Sequence, residues 1–164
     1  MRLFLAITLP DDVKEALSEN KWPDLPARWL KKEGLHVTVA FLGQADNDRE
    51  YAFSQKPFSL KFSRISYGPL GTFPPRMVWA VGESSSEFVS LAREAGGVDK
   101  DIVPHITLAR IKEWEWKRIN PEERPEINEP IDINVQVNSV DLYQSILKRT
   151  GAEYKLLKRF KLSE

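Results

Sequence analysis

Apolar positions recur along this chain with two different periods. Residues 2–9, RLFLAITL, are apolar at nearly every position, which predicts a buried strand. DDVKEALSEN then changes to helical spacing, with Asp11 or Asp12 placed to cap it. Trp22 to Pro26 is a loop punctuated by proline, and residues 35–42 read as a second strand. Residues 43–57 are polar and leave room only for a short helix. In FSLKFSRISY, Phe58, Leu60 and Phe62 alternate with polar neighbours, as in a half-buried strand. GPLGTFPP is a turn, and RMVWAVG is another strand. Ser84-Ser85-Ser86-Glu87 resembles a capping box that opens a helix ending near Gly96-Gly97. PHITLARI is the next strand. Residues 112–130 hold three prolines and many charges and read as a long loop. IDINVQVNSVDLYQSI and AEYKLLKRFKL close the chain as two strands around a turn at Thr150-Gly151.

Strands outnumber helices and do not alternate strictly with them, which predicts an α+β fold with antiparallel sheet. No linker divides the chain, so residues 1–164 read as a single compact domain. One phrase repeats. His36-Val37-Thr38-Val39-Ala40 matches His105-Ile106-Thr107-Leu108-Ala109 position for position, 69 residues apart, and hints at two similar lobes.

Composition narrows the options. A chain of 164 residues with 41% hydrophobic and 29% charged positions has the profile of a soluble globular protein. No apolar run approaches the roughly 18 to 20 residues of a membrane span. The first residues lack an A-x-A-like cleavage site, and Pro10-Asp11-Asp12 follow at once, so a strand fits better than a signal peptide. The absence of cysteine excludes disulfides, thiol catalysis and thiolate metal sites, and is compatible with a cytoplasmic location. Twenty-four basic residues balance 24 acidic ones, which argues against a protein that coats long nucleic acid. The local excess of Lys148, Arg149, Lys155, Lys158, Arg159 and Lys161 near the C-terminus reads as a solvated face.

The chain has only two histidines, and both lie in the repeated phrase. Side chains alternate faces along a strand. His36, Thr38 and Ala40 therefore share one face while Val37, Val39 and Phe41 share the other. The same alternation separates His105, Thr107 and Ala109 from Ile106 and Leu108. If the strands lie together, two imidazoles and two hydroxyls converge. Imidazole titrates near neutral pH, so one ring can accept a proton while the other donates one. Two threonine hydroxyls can hydrogen-bond the oxygens of a phosphate held between them. In-line displacement at phosphorus needs attacking and leaving groups on opposite sides, and a symmetric pair supplies both without a metal. Serine and threonine fill 17 of 164 positions, so a hydroxyl two residues after both histidines is roughly a 1% coincidence. No zinc-binding histidine spacing, phosphate loop, dinucleotide fingerprint or nucleophile elbow competes with this reading.

Two H-x-T phrases on comparable strands resemble the 2H phosphoesterase superfamily. MRLFLAITLPDDV, RWLKKEGLHVTVAFLG, GTFPPRMVWAV, PHITLAR and LYQSILKRTGAEYKLLKRF extend the resemblance to the RNA 2′,3′-cyclic phosphodiesterases, also called 2′-5′ RNA ligases. The resemblance implies a bilobal fold of two antiparallel sheets flanking a groove, with helices outside. It implies metal-independent, cofactor-free hydrolysis of an RNA or nucleotide 2′,3′-cyclic phosphate to a 2′-phosphate end, together with the reverse 2′-5′ joining. His36 is then the acid for the leaving 3′-oxygen and His105 the base for water. Thr38, Thr107 and Arg110 then hold the phosphate, although strict alternation turns Arg110 away from His105. Phe41 and Trp29 are candidates for a base pocket, in competition with core packing. The implied partners are RNA 3′ ends or small cyclic nucleotides, with no membrane and no partner subunit. Residues 44–56 and the helix near 84–96 are shorter than the family's usual lobes. A nucleotide- or RNA-binding module using the same groove without turnover is the alternative, and a two-histidine ribonuclease cutting internal bonds is a weaker one.

Overall fold

In the computed structural model, which describes residues 1–19, 21–97 and 102–163, the apolar run near the N-terminus forms β1 (Arg2–Thr8). There follow α1 (Asp11–Leu17), β2 (Ala27–Trp29), β3 (His36–Gln44), β4 (Phe58–Gly68) and β5 (Met77–Gly82). The chain continues with α2 (Ser86–Glu94), β6 (His105–Ile111), α3 (Glu113–Arg118), β7 (Asn128–Val137), β8 (Ser139–Lys148) and β9 (Gly151–Lys161). Every described strand pairing is antiparallel, and the fold is α+β. Among the described residues no helix is long and apolar enough to cross a membrane.

The strands are ordered β7-β4-β5-β6-β3-β1-β8-β9, with β2 pairing β6 off this path. The halves β7-β4-β5-β6 and β3-β1-β8-β9 meet at one registered pair, Val37 with Ile106. Both residues are fully buried. A hydrogen bond contributes about 1 kcal/mol net, and a buried aliphatic side chain about 1.5–3 kcal/mol. The seam is therefore held mainly by the packing beneath it. The halves also correspond in construction. β1–α1–β3 and β5–α2–β6 are each a strand, a helix and an antiparallel strand returning beside the first. One apolar cluster runs under the sheet, and Val13 and Leu17 of α1 and Phe88, Leu91 and Ala92 of α2 are buried in it.

Several elements differ from the sequence pattern. Pro10, not an aspartate, is the N-cap of α1; Asp11 and Asp12 occupy its first turn, at the positive end of the helix dipole. On α2 a serine caps the helix but the reciprocal box does not form: Ser85 Oγ accepts from the Phe88 N–H at 3.1 Å, and Glu87 accepts from the Ser86 hydroxyl instead. α2 ends with the Gly96 N–H on Arg93 O and the Gly97 N–H on Ala92 O, with Gly96 at φ 83. Residues 112–130 are not one loop, because α3 folds there with Trp116 buried. Six residues are too few for periodicity to reveal a helix. The segment 131–146 is two strands, not one. Buried apolar positions fall on odd numbers at Val135 and Val137 and on even numbers at Val140 and Leu142. The phase change at Asn138 marks where the chain leaves β4 in one half for β1 in the other. β2, only three residues long, gave no signal. Of the brief stretch before the second histidine, residues 98–101 lie outside the described set.

Candidate active site

β3 and β6 lie side by side at the seam. The Val37–Ile106 register, continued one residue either way, sets His36 opposite Thr107 and Thr38 opposite His105. The flanking strands extend these rows. Thr8 and Ala6 of β1 pair with His36 and Thr38, and Val81 and Trp79 of β5 pair with His105 and Thr107. The four predicted residues thus form a quadrangle on the face of the sheet opposite the core.

Alternation holds only as far as the threonines. Leu5 pairs with Ala40 and Ala6 with Thr38, so Val39 and Ala40 form a bulge in β3. Val78 pairs with Ala109 and Trp79 with Thr107, so Leu108 and Ala109 do the same in β6. Both residues of each bulge are buried. The next residue in each strand, Phe41 or Arg110, consequently turns to the histidine face. This corrects three expectations. Ala40 and Ala109 belong to the core and leave no space above the threonines. Arg110 lies on the same face as His105 after all. Phe41 is 81% exposed and not a core residue. Trp29 sits on β2, where it pairs with Ala109 of β6 and stacks on Trp22 at 6.4 Å.

Each imidazole is oriented by the chain just before its strand. His36 Nδ1 is 2.8 Å from Gly34 O, and His105 Nδ1 is 3.0 Å from Val103 O. A carbonyl oxygen only accepts, so Nδ1 carries the hydrogen in both rings and Nε2 is the nitrogen left for exchange. Thr38 Oγ1 lies 3.0 Å from His36 Nε2 and donates to it when the ring is neutral. His105 Nε2 has no hydrogen-bond partner among the described residues. Gly82 helps set the approach to His105, since its N–H bonds Pro104 O at 2.8 Å and a Cβ there would meet that oxygen at 2.9 Å.

Burial pushes both histidines below the ordinary imidazole value. For His36 burial is the largest cause, and His105, Lys14 and Arg110 add like charge, against a raising contribution from the Gly34 carbonyl. For His105 the cause is burial, opposed by the Val103 carbonyl.

The two rings have different walls. His36 lies between Phe4, at 5.0 Å, and the edge of Tyr154, at 5.1 Å, and Tyr143 stacks on Phe4. The Tyr143 hydroxyl is 2.5 Å from Thr8 Oγ1, which donates to the fully buried Asp141. Arg159 holds both oxygens of that carboxylate, at 2.9 and 3.1 Å. His105 instead stacks on Trp79 at 3.7 Å and 14°. Thr107 Oγ1 and Arg110 Nη1 meet at the sulfur of Met77, at 3.8 and 4.0 Å. Sequence reasoning missed Phe4, Trp79, Tyr143 and Tyr154. Each lies in a strand that was foreseen, but the face lining the groove follows only from register.

Comparison with known proteins places this arrangement. The LigT like Phosphoesterase family matches residues 86–154, which include the second histidine phrase. The RNA 2′,3′-cyclic phosphodiesterase of Aeropyrum pernix is 31% identical over 81% of this chain and 85% of its own length. The protein of that name from Thermus thermophilus is 30% identical over 99% of this chain and 90% of its own. The crystal structure of TT0787 of Thermus thermophilus aligns with a TM-score of 0.78 at 28% identity, covering 99% of this chain and 98% of that one. By sequence, fold and the paired histidine strands, this chain belongs to the RNA 2′,3′-cyclic phosphodiesterase family of LigT-like phosphoesterases.

Proposed function

We propose that this protein hydrolyses 2′,3′-cyclic phosphates at RNA 3′ ends or on small nucleotides, leaving a 2′-phosphate and a free 3′-hydroxyl. The observation that carries this reading is the quadrangle of His36, Thr38, His105 and Thr107, with Nδ1 of both rings engaged by a carbonyl and Nε2 free for proton exchange. The cyclic phosphate sits between the rings. His105 Nε2 takes a proton from water as its oxygen attacks phosphorus, and the P–O3′ bond breaks on the far side. His36 Nε2–H exchanges its 3.0 Å contact with Thr38 Oγ1 for the departing O3′ and delivers its proton there. Thr38, Thr107 and Arg110 hold the non-bridging oxygens, where charge builds in the transition state. Exposed Phe41 offers a stacking platform for a base. With a 5′-hydroxyl in place of water as the nucleophile, the same groups join it to phosphorus as O3′ departs, giving the 2′-5′ linkage. No step calls for a metal, and one chain supplies every named group, so a monomer suffices.

An RNA oligomer ending in a 2′,3′-cyclic phosphate, incubated with the protein in EDTA, tests the proposal by mapping the product end. A 2′-phosphate that disappears with His36→Ala and with His105→Ala is expected. A 3′-phosphate would mean that the ribose lies the other way round. Binding without turnover would identify a nucleotide-binding module in its place.

A further inference from the structure

The two halves of the groove correspond residue by residue through the registers of β1 with β3 and β5 with β6. Thr8 then matches Val81, Phe4 matches Met77, and Ala6 matches Trp79. At the position that pairs with the motif threonine, one half therefore carries a methyl group and the other an indole. That indole lies almost parallel to His105, at 3.7 Å and 14°. It is buried, and its own N–H is turned to Met77 Sδ at 3.5 Å, away from His105. Its fused edge rests on Gly68 of β4, where a Cβ would come within 2.4 Å of the ring. Glycine at 68 thus makes the seat that lets the indole lie flat under the imidazole.

We infer that Trp79 is a positioning residue for His105: it fixes the plane of the imidazole and stabilises the ring when it carries charge. This rests on the reading of His105 as the group that takes a proton during turnover. Among the described residues His105 has a single hydrogen bond, at Nδ1, which leaves rotation about that bond free. A flat contact over the ring removes that freedom and keeps Nε2 pointed into the groove. Electrostatics favour the same partner. The charged and titratable groups facing His105 are His36 from β3, Arg110 from its own strand and Arg64 from β4, in the row that runs through Val81. None of these is a carboxylate, and His36 and His105 repel when both rings are charged. Besides the Val103 carbonyl at Nδ1, the electron-rich indole face is the contact that favours a charged His105. His36 has no such stack, since Phe4 is tilted at 37° and Tyr154 is edge-on at 83°.

The chain has two histidines, so proton NMR titration resolves both, with His36→Gln assigning them. In the unaltered protein the His105 ring proton is expected upfield, shielded by the indole. Trp79→Leu keeps the ring covered by apolar atoms while removing the π face. Its His105 midpoint is expected to fall by about half a pH unit to one unit, with that of His36 nearly unmoved. Trp79→Phe should fall between the two. Gly68→Ala, which lifts the indole from its seat, should weaken the upfield shift. An unchanged or raised His105 midpoint in Trp79→Leu overturns the inference. So does equal movement of both histidines, which would make Trp79 a prop for the whole groove. Turnover is read separately. If the unaltered protein leaves cyclic phosphate intact, the functional reading fails while the titration still reports on the stack. If turnover is normal and the titration flat, the role of Trp79 alone fails.

Discussion

His36 and His105 share a phrase in the sequence but not an environment. Both titrate below the ordinary imidazole value because burial penalises the charged ring. In the proposed mechanism turnover needs one ring charged and one neutral, so the productive state peaks midway between the two apparent values of the pair. That midpoint lies below the ordinary value of about 6.5. The pH profile of kcat/KM should therefore be bell-shaped, with its maximum on the acid side of 6.5. A bound phosphate anion favours both charged rings, so the kcat profile should be displaced to higher pH. Coincident profiles centred above 7 would show that burial does not govern the pair. The same shifts bear on folding. Below about 6.5 the unfolded chain binds protons that the folded rings resist, so stability should fall as pH drops through that window. His105→Gln should flatten part of that fall in urea unfolding. The histidines and threonines were legible because the same four-residue logic occurs twice. Trp79 was not, because a tryptophan in RMVWAVG looks the same whichever face of the strand lines the groove.

At the scale of the elements, the two bulges decide which side chains the groove receives. Without them Ala40 and Ala109 would face the phosphate, and Phe41 and Arg110 would press into the core. A trace was present in the sequence. In both copies the polar–apolar alternation breaks at adjacent apolar residues, Val39-Ala40, which run on into Phe41-Leu42, and Leu108-Ala109, which Arg110 follows. A break of one residue is also what an ordinary strand end looks like, so pattern alone could not assign it. The packing yields a direct check. Ala109 is fully buried, so Ala109→Leu adds volume to a filled core and should lower stability by about 1–3 kcal/mol in urea unfolding. Were Ala109 on the groove side, the same change would leave stability alone and obstruct substrate. The strands were readable because their burial patterns are long. α3 and β2 were not, since neither completes two periods, and the split at Asn138 hid in a change of phase.

At the scale of the whole molecule, the groove joins unlike walls. Phe41, Phe4, Tyr143 and Leu156 form one row through β3, β1, β8 and β9. The corresponding row in the other half is Arg110, Met77 and Gly68. One wall thus suits the face of a base and the other an anion. Two exposed cations flank them, Arg28 of β2 beside Arg110 and Arg64 of β4 in the row of His105. Formal charge balances at zero, and the basic C-terminal strands are partly neutralised from within. Lys148 pairs with Glu153, Lys158 with Glu50 at 2.8 Å, and Arg159 with the buried Asp141. A single-stranded RNA loses about 0.7 in the slope of log affinity against log salt for each phosphate neutralised. Gripping one terminal phosphate therefore gives a slope near −0.7, whereas a track gripping six phosphates would give about −4. The dissociation constant of a cyclic-ended RNA, measured with His105→Ala to prevent turnover, should show the shallow slope. It should also change only a few-fold between a dinucleotide and a long oligomer. Phe41→Ala should weaken both lengths alike by about 1–3 kcal/mol, roughly 5- to 150-fold, because the lost stack belongs to the terminal nucleotide. A steep slope, or affinity that climbs with length, would mean that RNA leaves the groove along a basic path which the ion pairs of β8 and β9 would have to open to create.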